Sequence, residues 1–303
     1  MIIVATGGVE RSTTAYLRGQ DLRVVTQREL EEALAANKLA LPKGKPGAVV
    51  MIQCVESRDE EHPYCSRVCC SQALKNAIAL KERYPGSDVT ILYRDIRSYG
   101  LREKYYQQAR DLGVNFVRYD LEPDDQGRGG PPQVEKVGDR LVVKVYDPVL
   151  RQDLALEADI LALSVGIAPR ADAERLAMMF KVPLDKFFLE AHMKLRPVEF
   201  ATEGVYLAGM AHGPKFIEES IAQAGAAVSR ACTVLSKEQL VTSGPVAEVD
   251  PIACAACGDC VAICPFKAIS LVNKEVMRRV FKDCAEVNSA LCKGCGTCVA
   301  ACR

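Results

Sequence analysis

The sequence predicts two pieces: an α/β body built on a parallel sheet, then a small α+β module rich in cysteine. Through residues 48–119, apolar runs of strand length alternate with stretches of helix length. That alternation is the pattern of βαβ units, whose strands lie parallel with right-handed crossovers. Residues 134–156 alternate apolar and polar side chains and read as an antiparallel β-excursion from the body. The last fifty residues stand apart, because C-x2-C-x2-C-x3-C occurs there twice.

The elements follow in order. MIIVATGG, at the amino end, is an apolar strand running into glycines. Thr26 and Glu29 frame a helix over 26–36 as a capping box, in which hydroxyl and carboxylate each satisfy a backbone N–H that the first turn leaves free. LPKGKPG at 41–47 is a linker by its proline and glycine content. AVVMIQC is a buried strand, far shorter than a membrane span. A polar loop at 56–64, a helix over 66–83, a strand at 88–95, a helix at 101–112 and a strand at 114–119 continue the unit, and 122–133 is a loop. DILALSVG at 159–166 returns to a buried strand. EGVYLAGMAHGP at 203–214 is a strand ending in glycines, and 215–235 is a long helix whose small residues permit close packing. Residues 236–250 link to the cysteine module.

Cys254, Cys257, Cys260 and Cys264, followed by Pro265, form the first cysteine run, and Cys292, Cys295, Cys298 and Cys302 form the second. This spacing is the bacterial ferredoxin signature of [4Fe–4S] clusters. Three cysteines on one loop cap one face of a cubane, and the fourth thiolate comes from the other run. The expected sets are therefore Cys254, Cys257, Cys260 with Cys302, and Cys292, Cys295, Cys298 with Cys264. Zinc sites favour separated pairs, and disulfides favour small secreted domains, so iron–sulfur chemistry is expected over both.

Lys plus Arg and Asp plus Glu number 39 each, which gives no electrostatic footprint for nucleic acid. Fourteen cysteines without a secretory pattern point to a reducing cytoplasm, where thiols serve metals. Cys232 and Cys284 fall outside every motif and are expected as small buried hydrophobes. His62, His192 and His212 are isolated and read as hydrogen-bonding loop residues.

Cys54, Cys65, Cys69 and Cys70 read C-x10-C-x3-C-C, at the carboxyl end of a strand and the start of the next helix. In a dinucleotide-binding unit a glycine-rich turn would stand there, so direct use of NAD(P)H is not expected. Spacing alone leaves a cluster, a zinc site, a vicinal disulfide at Cys69–Cys70 and buried structural thiols all open.

The order ATGG, βαβ unit, β-excursion, SVGIAP, then strand–AGM–helix resembles the two-dinucleotide-domain flavoproteins, which are thioredoxin-reductase-like in fold. The resemblance implies that 1–44 and 165–236 form part of an FAD-binding domain, 45–164 an NAD-like domain carrying the cysteines, and 237–303 a two-cluster ferredoxin-type domain. Ala5, Thr6 and Gly7 match the first FAD element, Gly166 lies in SVGIAP, and Gly209 matches the late strand–glycine–helix junction. Glycine allows backbone to approach a cofactor, and a helix N-terminus suits phosphate. Met210 stands where these flavoproteins usually carry Asp. The G-x-G-x-x-G fingerprint of FAD binding is not in the sequence. Its expected place is a partner chain or an amino-terminal half that the sequence does not include.

IQCVESRDEEHPYCSRVCC is similar to the element QCVGSRD…YCSRVCC of a heterodisulfide reductase family, that of its A-type subunit, an iron–sulfur flavoprotein. LYRDIRSYG, ALSVGIAP, YLAGMAHGPKFIEESIAQAGAAV and the ferredoxin-type pair also fall in family order, so the resemblance covers essentially the whole chain. It implies a third [4Fe–4S] cluster on Cys54, Cys65, Cys69 and Cys70, with FAD as the branching electron carrier and Lys215 at the flavin ring. It also implies an oxidoreductase subunit with no acid–base side chain in the chemistry. Its partners would be other redox subunits of reductase, hydrogenase or dehydrogenase type. Glu56 and Phe216 depart from the family's Gly and Asp. Two other functions are weighed against this one: a flavin-free iron–sulfur relay, and an NAD(P)H-dependent flavoprotein disulfide reductase using Cys69 and Cys70.

Overall fold

The structure, a computed structural model, describes residues 1–39, 41, 47–238 and 244–303. Most of the expected linker at 41–47 and part of that at 236–250 lie outside the described residues. The chain divides into two units, Met1–Leu235 and Ser236–Arg303.

The first unit contains β1 (Ile2–Val4), β2 (Gly8–Glu10), β3 (Val24–Thr26), α1 (Gln27–Ala35), β4 (Ala48–Val55), α2 (Cys69–Arg83), β5 (Asp88–Tyr93), α3 (Glu103–Asp111) and β6 (Asn115–Arg118). It continues through β7 (Gln133–Val137), β8 (Arg140–Asp147), β9 (Gln152–Ala158), β10 (Ile160–Val165), β11 (Ile167–Pro169) and α4 (Ala173–Phe180). β12 (Leu184–Asp185), β13 (Phe187–Phe188), β14 (Val205–Leu207) and α5 (Ile217–Leu235) complete it.

Its centre is a five-stranded parallel sheet in the order β3-β10-β4-β5-β6. Met51 and Ile91 point to a helical layer with Leu30, Leu74 and Leu80. Ile52, Leu161 and Leu163 point the other way, against Leu141 and Val143 of the antiparallel β7-β8-β9 sheet. Burial on both faces explains why β4 and β10 are continuous apolar runs, while β8 alternates. The antiparallel excursion expected at 134–156 is this three-stranded sheet.

The sequence groups residues 24–26 with 165–236, yet β3 pairs with β10 at the edge of the central sheet. Three residues are too few for periodicity to reveal the pairing; burial of Val24 between layers holds it there. α1 begins as expected: Thr26 Oγ1 accepts from Glu29 N at 3.3 Å, and Glu29 Oε2 accepts from Thr26 N at 2.8 Å.

β1 and β14 form a separate parallel pair, and Val4, Phe188, Phe200 and Leu207 make a second core beside α4. The short elements β11, α4, β12 and β13 carry no clear sequence signal. α5 buries Ala227 and Ala231 and leaves Cys232 exposed, which corrects the expectation of a buried thiol there. Cys284 is buried, as expected.

The second unit contains α6 (Asp259–Ile263), β15 (Ile269–Met277), β16 (Val280–Val287) and α7 (Thr297–Ala301). β15 and β16 form an antiparallel hairpin, and α6 lies against α7. Each helix follows a glycine with left-handed backbone, Gly258 at φ 81° and Gly296 at φ 79°, so the sequence repeat is also a structural one. Among the described residues, no helix is long and apolar enough to cross a membrane.

Candidate metal centres and cofactor turns

β4 carries one residue more than β10 over the same span: Ile52 faces Leu163 and Val55 faces Val165. This bulge falls at Cys54, whose φ of 57° is left-handed. It turns the end of β4 toward the first residues of α2. Glu56 also has positive φ, 45°, a backbone conformation that favours glycine and strains a side chain.

Cys54, Cys65, Cys69 and Cys70 line one cavity with Arg58 and Arg97. Cys65 Sγ accepts from the Arg67 N–H at 3.3 Å. The Cys70 thiol is 3.6 Å from Asp95 O, and the Cys69 thiol 3.8 Å from Val165 O. Burial pushes both thiols up, Cys70 to about 11. Burial also raises Cys54, against the pull of Arg58 and Arg94. These groups are neutral thiols until a metal takes the place of their protons. Arg58 Nη2 pairs with Asp95 Oδ2 at 2.7 Å, while its Nη1 is buried with no hydrogen-bond partner among the described residues. Four soft sulfur donors beside an unpaired buried guanidinium nitrogen fit a thiolate-bound, negatively charged group. Among the described residues no three His, Cys, Asp or Glu side chains are placed to hold a metal ion between them.

In the second unit, Cys264, Cys292, Cys295 and Cys298 line one cavity. Cys254, Cys257, Cys260 and Cys302 line another, which Cys298 also borders. Each expected set falls along one of these linings, and Cys298 borders both. Backbone N–H groups point at sulfur in both: Ala256 and Ala285 at Cys254 (3.5 and 3.4 Å), Ala268 at Cys264 (3.3 Å) and Gly294 at Cys292 (3.5 Å). The Cys254 thiol is lowered chiefly by its hydrogen bonds from Ala285 and Ala256, and Cys295 by its hydrogen bond to Thr297. Gly294 has φ 63°, and a Cβ there would lie 2.1 Å from the Pro245 carbonyl oxygen, so the loop closes only with glycine.

Parallel pairing of β1 and β14 brings Ala5, Thr6 and Gly7 to the same end of the pair as Gly209. Gly7 (φ 79°) and Gly209 (φ 70°) have nothing within 4 Å of where a Cβ would stand, and a Cβ on Gly8 would be 3.8 Å from Met210. Two open glycine turns side by side fit the close approach of an extended cofactor. Gly166 differs. A Cβ on it would meet Ser66 Oγ at 3.1 Å, and Ile167 N donates to that hydroxyl at 2.8 Å. Gly166 thus lets the turn after β10 pack on the cysteine loop.

Lys215 Nζ donates to Gln223 Oε1 at 2.9 Å and lies 3.1 Å from His212 Nδ1. His212 Nε2 is 2.7 Å from Glu190 Oε2, and Gln223 Oε1 also accepts from Gly209 N at 2.9 Å. Burial lowers Lys215 to about 8, aided by Arg67 and opposed by Glu219 and Glu190. Sequence reasoning does not single out Glu190 or Gln223. Gln223 carries a faint signal, two turns along the helix from the glycine–lysine segment; Glu190 carries none.

No family model matches the chain. Among solved structures, a thioredoxin reductase of T. acidophilum superposes with a TM-score of 0.50 at 16% identity, over 78% of this chain and 66% of that one. The L-lysine 6-monooxygenase of Pseudomonas syringae gives 0.50 at 11% identity, over 78% and 64%. The body is a thioredoxin-reductase-like α/β fold. In sequence, the chain is 40% identical over 265 residues to an A-type iron-sulfur subunit of the CoB–CoM heterodisulfide reductase of Methanopyrus kandleri, covering 83% of this chain and 39% of the relative. It is 39% identical over 287 residues to the A-type subunit of the H2:CoB–CoM heterodisulfide,ferredoxin reductase of Methanothermobacter marburgensis, covering 89% and 42%. The corresponding iron-sulfur subunit of Methanocaldococcus jannaschii is 38% identical over 290 residues, covering 90% and 43%. The chain belongs to the family of A-type iron–sulfur subunits of heterodisulfide reductase, and it spans about two fifths of the length of these relatives.

Proposed function

We propose that the chain is an electron-transfer part of a heterodisulfide reductase-like oxidoreductase complex. It holds [4Fe–4S] clusters at three cysteine sets and contributes to an FAD site, passing electrons to partner redox subunits. The observation that carries this reading is the arrangement of twelve cysteines around three cavities. When bound, the clusters supply one-electron steps and FAD joins these to two-electron steps. The chain's own residues hold and bias them. Arg58 and Arg94 face Cys54 with positive charge, which favours a reduced, more negative centre. The N–H groups of Ala285, Ala268 and Gly294 do the same at the ferredoxin-type sets.

Ala5, Thr6, Gly7 and Gly209 provide the close-approach turns for FAD, and Lys215 offers a hydrogen-bond donor of moderate basicity beside them. Gly166 contributes by seating the cysteine loop. The dinucleotide turn of the central sheet is replaced by the cysteine loop, which disfavours NAD(P)H as direct reductant.

Anaerobic purification with iron and flavin quantitation tests the reading. The expected content is about twelve irons per chain, three cubanes of four. Cys70→Ser should bring this to about eight and remove one EPR signal. Fewer than about eight irons in the unaltered chain would sink the ferredoxin-type pair. Full iron with no flavin would favour a pure relay, and flavin bleaching by NAD(P)H would favour a disulfide reductase.

A further inference from the structure

Arg67 lies two residues beyond Cys65, in left-handed backbone at φ 60°. Its N–H donates to Cys65 Sγ at 3.3 Å, so its main chain belongs to the cysteine loop. Its side chain leaves that loop for the turn carrying Lys215. Nη1 donates to the Pro214 carbonyl at 3.4 Å, and Nη2 to Glu219 Oε1 at 2.6 Å. Nε and Nη2 reach the Tyr99 hydroxyl at 3.1 and 2.5 Å. The guanidinium carbon is also 5.7 Å from the centre of the Phe216 ring, and that of Arg102 is 3.5 Å from it. Glu219 Oε2 in turn accepts from Phe216 N at 2.7 Å. One arginine therefore grips the residues on both sides of Lys215.

We propose that Arg67 is a positioning residue that couples occupancy of the Cys54–Cys70 cavity to the geometry of the Pro214–Glu219 turn, and so to the placement of Lys215. The inference rests on the third-cluster reading. A cluster on Cys65 would fix the loop backbone through the N–H to sulfur bond, and with it the root of the guanidinium. The planar fork then imposes that geometry on a carboxylate and a carbonyl at once, which a single ammonium cannot do. Phe216 suits this arrangement because its ring can take guanidinium contact. An acidic side chain at that position would compete with Glu219 for the same arginine.

The experiment is hydrogen exchange read by mass spectrometry on the full chain, purified anaerobically, over peptides covering 213–220. Cys70→Ser should lose about four irons and exchange these amides about tenfold faster than the unaltered chain, as a local opening does. Arg67→Met should keep its iron and show the same acceleration. Combining the two should add nothing further, since both remove one coupling. Arg67→Lys should restore protection only in part. Should Arg67→Met load poorly, Glu219→Ala breaks the far end without touching the cysteine cavity and should give the same acceleration at full iron over the amides other than Phe216, which loses its own acceptor in that variant. Wild-type protection in fully loaded Arg67→Met or Glu219→Ala overturns the proposal. So does unchanged exchange in a Cys70→Ser chain that has lost its irons. A Cys70→Ser chain that keeps all its iron removes the third-cluster reading itself, and the coupling falls with it.

Discussion

Arg58 and Asp95 pair at 2.7 Å through Nη2 and Oδ2, beside the cavity that Cys54 lines. The pair holds the guanidinium in place while its other terminal nitrogen stays buried without a hydrogen-bond partner among the described residues. Arg58→Met should therefore make the proposed inner cluster harder to reduce. The midpoint potential should fall by roughly 60 mV, about a tenfold change in a one-electron equilibrium. An EPR-monitored redox titration measures it, and an upward shift would contradict the assigned role of the charge.

The crosswise grouping in the second unit makes a sharper demand. Cys302→Ser should disturb the same cluster signal as Cys254→Ser, although the two positions lie at opposite ends of the module's sequence. Cys264→Ser should match Cys295→Ser instead. Each variant should lose about four irons. If Cys302→Ser altered the signal that Cys295→Ser alters, each run would be feeding its own cluster.

Lys215 introduces a pH dependence of stability. Its ammonium is lowered from the usual 10.5 to about 8, first by burial. Between those values the unfolded chain binds more protons than the folded one, so stability rises with pH across the window. The penalty is complete below about 8 and gone above about 10.5. Lys215→Met should flatten this slope. Anaerobic urea denaturation at several pH values would reveal it, and a variant with an unchanged slope would refute the attribution.

Thr26 is a local test of the fold. Removing its hydroxyl leaves the Glu29 N–H without its cap. Thr26→Ala should cost about 1 kcal/mol. The same denaturation measurement reads it, and no loss at all would mean that Glu29 alone holds the helix start.

That cap is legible in sequence because its two residues are three apart and their roles are chemical. The cysteine runs are legible for the same reason: within a run, spacing on a loop is also proximity in space. What sequence hides depends on distant pairing. β3 joins the central sheet only through Ile160–Val165, which is more than 130 residues away. Glu190 meets His212 only because the β14 turn returns beside the segment after α4. Cys232 defies its expected burial because the buried stripe of α5 runs through Ala227 and Ala231, and composition alone does not tell which side of such a helix faces inward. Gly166 has the look of a cofactor glycine, but its missing side chain makes room for Ser66.

The bulge at Cys54 carries a consequence for speed. A thiolate on a mobile loop lets its surroundings rearrange whenever charge arrives or departs, and each rearrangement slows the transfer. Cys54 instead lies between Ile52, the last residue of β4 paired with β5, and Val55, which pairs with β10. Such a seat would keep dipoles and donors in place for a cluster bound there before an electron comes. A cluster seated there, as proposed, would meet a stiff junction with little reorganisation, and the exchange of electrons through it would be rapid.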